Sequence, residues 1–213
     1  MTMLDQIRES KIIAIVRGVP AERAPDLAEA LCAGGIKFVE LTFDQRDPRS
    51  WAETAAAIRG LKSRMGNRMG VGAGTVMSLQ QLHMACDAGA SYIISPNVDG
   101  ALIKETKRLG ALSFPGAMTA SEAAYAASCG ADVIKIFPAG ELGPGYIKAL
   151  KGPLAHLELM AVGGVNEKNA GDFIRAGAAA VGVGGSLVNR KWILSGEFDR
   201  ITALAAAYVE AVK

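Results

Sequence analysis

Short apolar runs recur along the chain, each preceded by an amphipathic or alanine-rich segment and a glycine. The joint reads CAGGIKFVEL from Cys32, DAGASYIISP from Asp87, RLGALSFPG from Arg108, CGADVIKIF from Cys129 and AGAAAVGVG from Ala176. Glycine suits the left-handed residue just beyond a helix, because it has no Cβ to clash there. The runs that follow are nearly all apolar, as parallel strands covered on both faces are. The pattern therefore predicts α/β architecture with about eight strands, at 12–17, 38–43, 69–76, 92–96, 111–116, 133–139, 157–164 and 180–185. Helices are expected between them, at 21–33, 48–61, 78–88, 99–109, 120–129, 146–151, 167–176 and 198–212. Ser78 and Asp99 suit helix starts, since their side chains can accept from free backbone N–H groups. An extra N-terminal helix covers about residues 2–9. Eight βα units over residues 1–213 fit a single-domain (β/α)8 TIM barrel, with an open doubly wound sheet as the alternative.

The polar exceptions gather where strands end. Arg17 closes the first run, Glu40 and Thr42 lie in the second, and the third runs into GAGT (72–75). SPN (95–97) closes the fourth, PG (115–116) the fifth, GG (163–164) the seventh and GGS (184–186) the eighth. The sixth, VIKIFPA, holds Lys135 among apolar neighbours. Barrel active sites form at this end of the strands.

Alternation puts Val133, Lys135 and Phe137 on one face and Ile134 and Ile136 on the other. The isoleucines belong against the outer helices, which turns Lys135 into the barrel. A lysine in a strand is ordinarily a solvated edge residue, but a closed barrel has no wet edge. Desolvation and a nearby cation, for which Arg17 is the candidate, would leave a neutral amine able to attack a carbonyl. Glu40 reads in two ways: a salt-bridge partner for Lys135, or a general acid/base whose pKa burial has raised. Glycine pairs at the last two strand ends suit a phosphate held by backbone N–H groups, and Ser186 adds a hydroxyl.

Composition narrows the classes. A net charge of +2 without a basic stripe gives no nucleic-acid partner. No run reaches the ~18 consecutive apolar residues of a membrane span, and the first ten residues, with Asp5 and Glu9, have no signal-peptide core. Cys32, Cys86 and Cys129 lack metal-type spacing and read as small hydrophobes in a reducing, cytoplasmic protein. His83 falls in mid-helix and His156 at the end opposite the site, so no metal is expected. GVGAGT (70–75) lacks the third glycine and acidic partner of a dinucleotide site.

The blocks GGIKFVELTF, GAGTV, ISPN, PGAMT, IKIFPA, VGGV and GVGGSLV follow one another across nearly the whole chain. In that order they resemble the 2-keto-3-deoxy-6-phosphogluconate and 4-hydroxy-2-oxoglutarate aldolases, class I enzymes that work through a Schiff base. The resemblance implies that Lys135 forms the imine with a keto acid and that Glu40 moves protons. It implies that Thr75 and the Gly74 backbone hold the carboxylate, while Pro96, Pro115, Phe137 and Val162 shape the pocket. Gly163, Gly164, Gly184, Gly185 and Ser186 would take the phosphate. A small keto-acid substrate, a homotrimer and no cofactor are implied as well.

Two positions depart from the commonest pattern. Many members carry an arginine four residues after the glutamate, where this chain has Asp44. Phosphogalactonate-type members instead place an arginine at the end of the first strand, so the resemblance gives anion binding to Arg17 rather than Arg46. Val162 stands where gluconate-type members have threonine. Both lean toward the galactonate branch, while Asp44 and the KIFPA end leave gluconate and hydroxyglutarate substrates open. A phosphate-binding barrel isomerase, with Glu40 as base, and a non-catalytic metabolite-binding barrel are the other readings.

Overall fold

The computed structural model describes all residues, Met1–Lys213. Its strands are β1 (Ile12–Val16), β2 (Phe38–Thr42), β3 (Gly70–Gly74), β4 (Tyr92–Ile94), β5 (Leu112–Phe114), β6 (Gly116–Ala117), β7 (Ile134–Ile136), β8 (Leu159–Val162) and β9 (Ala180–Val183). All neighbouring pairs are parallel, in the order β5-β4-β3-β2-β1-β9-β8-β7-β6. The two outermost segments, β5 and β6, are separated in the chain only by Pro115, so the sheet returns on itself. Proline has no N–H to give the ladder. The Phe114 carbonyl accepts from Ser95 N–H on one side (3.2 Å), and the Pro115 carbonyl accepts from Lys135 N–H on the other (2.9 Å). The nine segments are thus the eight expected strands with the fifth one broken, and the chain forms a TIM barrel rather than an open sheet.

The strands are shorter than the apolar runs suggest. The run at 133–139 ends as a strand at Ile136, because Pro138 turns the chain and α7 (Ala139–Leu142) begins at once. Likewise β8 stops before Gly163 and Gly164, both at positive φ. The outer helices include α2 (Ala24–Ala33), α3 (Trp51–Met65) and α6 (Ala120–Ser128), and α4 (Leu79–Asp87) is capped by Ser78, whose side chain accepts from Gln81 N–H. Asp99 accepts from Ala101 and Leu102 N–H at the start of α5 (Gly100–Arg108). The N-terminal helix α1 (Met3–Ser10) starts with a reciprocal Thr2–Asp5 capping box. No helix is long and apolar enough to cross a membrane.

Two apolar cores result. The larger lies between barrel and helices and includes Ile134 and Ile136. The smaller fills the barrel with Ile13, Phe38, Tyr92, Phe114, Val133 and Met160, and Ile7 of α1 closes the lower mouth. β3 contributes glycine at its inward positions because its neighbours take the space. A Cβ on Gly70 would lie 2.5 Å from the Phe38 ring, and one on Gly72 2.2 Å from the Tyr92 ring. The Tyr92 hydroxyl, deep in this layer, donates to the Val39 carbonyl at 2.7 Å. Above this bulky interior packing, open space remains at the upper end, where the polar residues stand.

Candidate active site

Strand register places the two ionisable groups in the upper layer. Glu40 of β2 is level with Ile15 of β1 and Gly72 of β3, and Lys135 of β7 is level with Gly116 and Met160. Both are buried, with Glu40 1% and Lys135 7% exposed. Burial raises the Glu40 carboxyl from 4.5 to about 7, even though the positive charges of Lys135 and Arg17 pull the other way. Burial likewise lowers the Lys135 pKa; Glu40 opposes the change and Arg17 adds to it. Arg17 therefore is the cation that the sequence assigned to this neighbourhood. Glu40 Oε2 is buried without a hydrogen-bond partner, and none of the ion pairs in the structure joins Glu40 to Lys135. The Lys135 ammonium instead lies over the Phe137 ring, 5.2 Å from its centroid.

A buried carboxyl near neutrality beside a lysine of depressed pKa combines a proton carrier with a nucleophile. The surroundings are built tightly around the carboxyl. A Cβ on Gly74 would fall 2.4 Å from Glu40 Oε1, so only glycine lets β3 pass there. The next residue, Thr75, has φ of 55° and accepts through its hydroxyl from Arg17 Nη2 at 3.0 Å.

A cavity of about 390 Å³ opens over Lys135 and Glu40. Of the residues expected from sequence, it brings together Arg17, Phe137, Val162, Gly163, Gly164 and also Gly184, Gly185 and Ser186. Gly74 and Thr75 reach it only through Glu40 and Arg17. Pro96 and Pro115 do not line it; they belong to a tight backbone corner, where a Cβ on Gly116 would meet the Pro96 carbonyl at 2.4 Å. Ile15 and Asn166 line the cavity and carry no signal that sequence reasoning used.

The two glycine pairs differ physically. Gly163 and Gly164 have φ of 86° and 74°, and a Cβ on either would come 2.9 Å from Phe137 or Gly140 atoms. They are glycine for backbone reasons. At Gly184 a Cβ would meet only Ile15, at 3.9 Å, and at Gly185 nothing within 4 Å, with no positive φ at either. Space there is left open rather than forced. Ser186 Oγ donates to the Val165 carbonyl at 2.9 Å and ties the two loops together. From Gly184 and Gly185 a second cavity, about 480 Å³, leads outward to Arg190 and Lys191.

Arg46 stands apart from Lys135. Its side chain is 91% exposed and grips Asp44 through Nε and Nη2 at 3.1 and 3.0 Å. That pairing draws the Asp44 carboxyl down to about 2. Both line a third cavity, about 460 Å³, between the loops after β1 and β2, on the other side of Arg17.

Comparison with known proteins shows the family. Residues 3–204 match the family described as "Aldolase: KDPG and KHG aldolase". The 2-dehydro-3-deoxy-6-phosphogalactonate aldolase of Escherichia coli K12 is 33% identical over 95% of this chain and 96% of its own. The KHG/KDPG aldolase of the same strain is 32% identical over 95% of this chain and 92% of its own. Among solved structures, the KDPG aldolase of Legionella pneumophila, with pyruvate captured as a covalent carbinolamine, superposes with a TM-score of 0.86. It is 29% identical and covers 97% of this chain and 98% of that one. On a family match that spans almost the whole barrel, this chain belongs to the KDPG and KHG aldolases and is a class I aldolase, a carbon–carbon lyase.

Proposed function

We propose that the protein cleaves a 2-keto-3-deoxy-6-phospho sugar acid to pyruvate and glyceraldehyde 3-phosphate, with Lys135 as the imine-forming residue. The observation that carries this reading is the burial of Lys135 beside a carboxyl whose pKa stands at about 7. The neutral amine attacks the C2 carbonyl, and Glu40, as the acid, gives a proton to the departing carbinolamine hydroxyl. The resulting iminium draws the C3–C4 bonding electrons. As that bond breaks, the Glu40 carboxylate takes the C4 hydroxyl proton and the aldehyde leaves. The enamine is then protonated at C3, and water releases pyruvate from the lysine. A group that titrates near 7 can both give and take a proton in one cycle.

Thr75 and the Gly74 backbone hold the keto-acid carboxylate, beside Arg17. Phe137 and Val162 border the reacting carbons, and Pro96 and Pro115 stiffen the corner behind them. The phosphate lies over Gly163, Gly164, Gly184, Gly185 and Ser186, toward the cations of Arg190 and Lys191. Residues 1–213 form one catalytic domain that works in the cytoplasm as a homotrimer. Exposed Met77, Leu79 and Met118, just beyond the ends of β3 and β6, supply apolar surface for such assembly.

One observation favours the phosphogalactonate substrate. Arg46, six positions after Glu40 in the chain, is bound to Asp44, which leaves Arg17 as the cation at the cavity over Lys135. The test is kcat/KM measured side by side for the phosphogluconate, phosphogalactonate and unphosphorylated 4-hydroxy-2-oxoglutarate substrates. A clear preference for the galactonate form is expected; equal or greater efficiency on the unphosphorylated acid would overturn the phosphate assignment. Arg17→Met should raise KM about 10- to 100-fold, the loss of one hydrogen bond to a charged group. Arg17 lowers the pKa of both Glu40 and Lys135, so the variant's pH–rate profile should also move to higher pH. An unmoved profile would place Arg17 outside the electrostatics of the site.

A further inference from the structure

We propose that Gln45 and Gln81 are positioning residues that hold Thr75 in its left-handed backbone conformation and thereby shape the carboxylate subsite. The proposal rests on the reading that Thr75 holds the substrate carboxylate. A φ of 55° at Thr75 is an outlier for a β-branched residue, and such conformations persist only where the surroundings over-determine them. Three attachments do so here. On one flank the Gly74 carbonyl accepts from Phe43 N–H at 2.9 Å, and on the other Val76 N–H donates to the Ile94 carbonyl at 3.2 Å. The third is a relay of side-chain amides.

The relay starts at Gln81, fully buried at 0% exposure in the first turn of α4. A buried amide is costly unless its groups are bonded. Its Oε1 accepts from Met77 N–H at 2.8 Å, and its Nε2 donates to Gln45 Oε1 at 3.0 Å. Gln45 Nε2 in turn donates to the Thr75 carbonyl at 2.6 Å. The direction is forced along its whole length. A backbone N–H fixes the oxygen of Gln81, which fixes the oxygen of Gln45, which leaves only an N–H to face the Thr75 carbonyl. With its carbonyl tied outward, Thr75 presents its hydroxyl to Arg17 at 3.0 Å. Glutamate has the same shape as glutamine but no N–H, so at position 45 it would face that carbonyl with a second acceptor.

Gln45 is exposed, so its variants test the relay without disturbing a core. The experiment measures the pyruvate concentration that half-saturates borohydride trapping on the intact protein. Gln45→Glu should raise that concentration about tenfold, with the trapping rate at saturating pyruvate within about twofold of the parent and an unchanged melting temperature. Glycine adopts positive φ freely, so in a Thr75→Gly background the same substitution should change half-saturation by less than about twofold. Unchanged half-saturation in Gln45→Glu would overturn the brace. An equal penalty in both backgrounds would overturn it too, since Gln45 would then act on the ligand directly. A separate variant, Thr75→Val, tests the underlying reading: normal pyruvate affinity there removes the carboxylate assignment, whereas weakened affinity beside an unaffected Gln45→Glu removes the brace alone.

Discussion

Lys135→Ala, incubated with pyruvate and borohydride, should carry no covalent three-carbon adduct and show no cleavage above background. The expected loss is complete because the amine holds the intermediate itself, and no neighbour can replace it. Lys135→Arg sharpens the test: it keeps a positive charge above Glu40 while removing a deprotonatable nucleophile, and it should be as inactive as the alanine variant. The alanine variant should fold, since burial already disfavours the ammonium in the native state. In the alanine variant Glu40 loses a positive neighbour that lowers its pKa, so that carboxyl should titrate above its present value of about 7. Mass analysis of the peptide that holds position 135, with thermal melting on the same samples, separates lost chemistry from lost structure. Turnover retained by either variant would refute the imine role.

Glu40→Gln should give the second largest effect, a fall in kcat of about 10²- to 10⁴-fold, and its stability should move in the opposite direction. The folded carboxyl ionises near 7 rather than 4.5 because it is buried. The stability associated with its neutral form is fully present below about 4.5 and is lost as pH rises through about 7. At pH 8 the native protein therefore carries an ionisation cost of about 3 kcal/mol that glutamine does not. The variant should melt at the same temperature or higher at that pH, with the two proteins converging toward pH 5. The rising limb of kcat near pH 7 should disappear. Calorimetric melting across pH, paired with kcat, decides the matter: a destabilised variant with normal specific activity in its folded fraction would make Glu40 a structural residue only.

Both predictions depend on a residue pair visible in the chain before any coordinates. The reason is local. A period of two tells which way Lys135 points, and glycine after each helix marks where a strand must follow. The caps at Ser78 and Asp99 were legible for the same reason, because a cap acts within a few residues. Strand ends were not. The run through Phe137 and Pro138 is as apolar as a strand, yet the turn into α7 ends it at Ile136.

The site divides along the same line. Its chemical groups could be named from sequence, but their partnerships could not. Glu40 and Lys135 suit a salt bridge and an acid–nucleophile pair equally well, and only burial and the orphaned Oε2 separate the two. Asp44 and Arg46, two residues apart, draw Arg46 away from the cavity that holds Lys135. Pro96 and Pro115 stand at a backbone corner beside Gly116, outside the lining of the cavity over Lys135. The relay from Gln81 through Gln45 to Thr75 left no trace in the pattern at all.

By itself the sequence determined the α/β class, the strand count and the inward face of Lys135, all consequences of neighbours a few positions apart. The tertiary structure decided how the barrel closes across Pro115, that Arg46 is held by Asp44, and what holds Thr75 in place. The contacts to Thr75 from Gln45 and Arg17 join residues 30 and 58 positions apart. Short-range periodicity cannot encode them, because they exist only once the closed sheet has brought its strand ends into one ring.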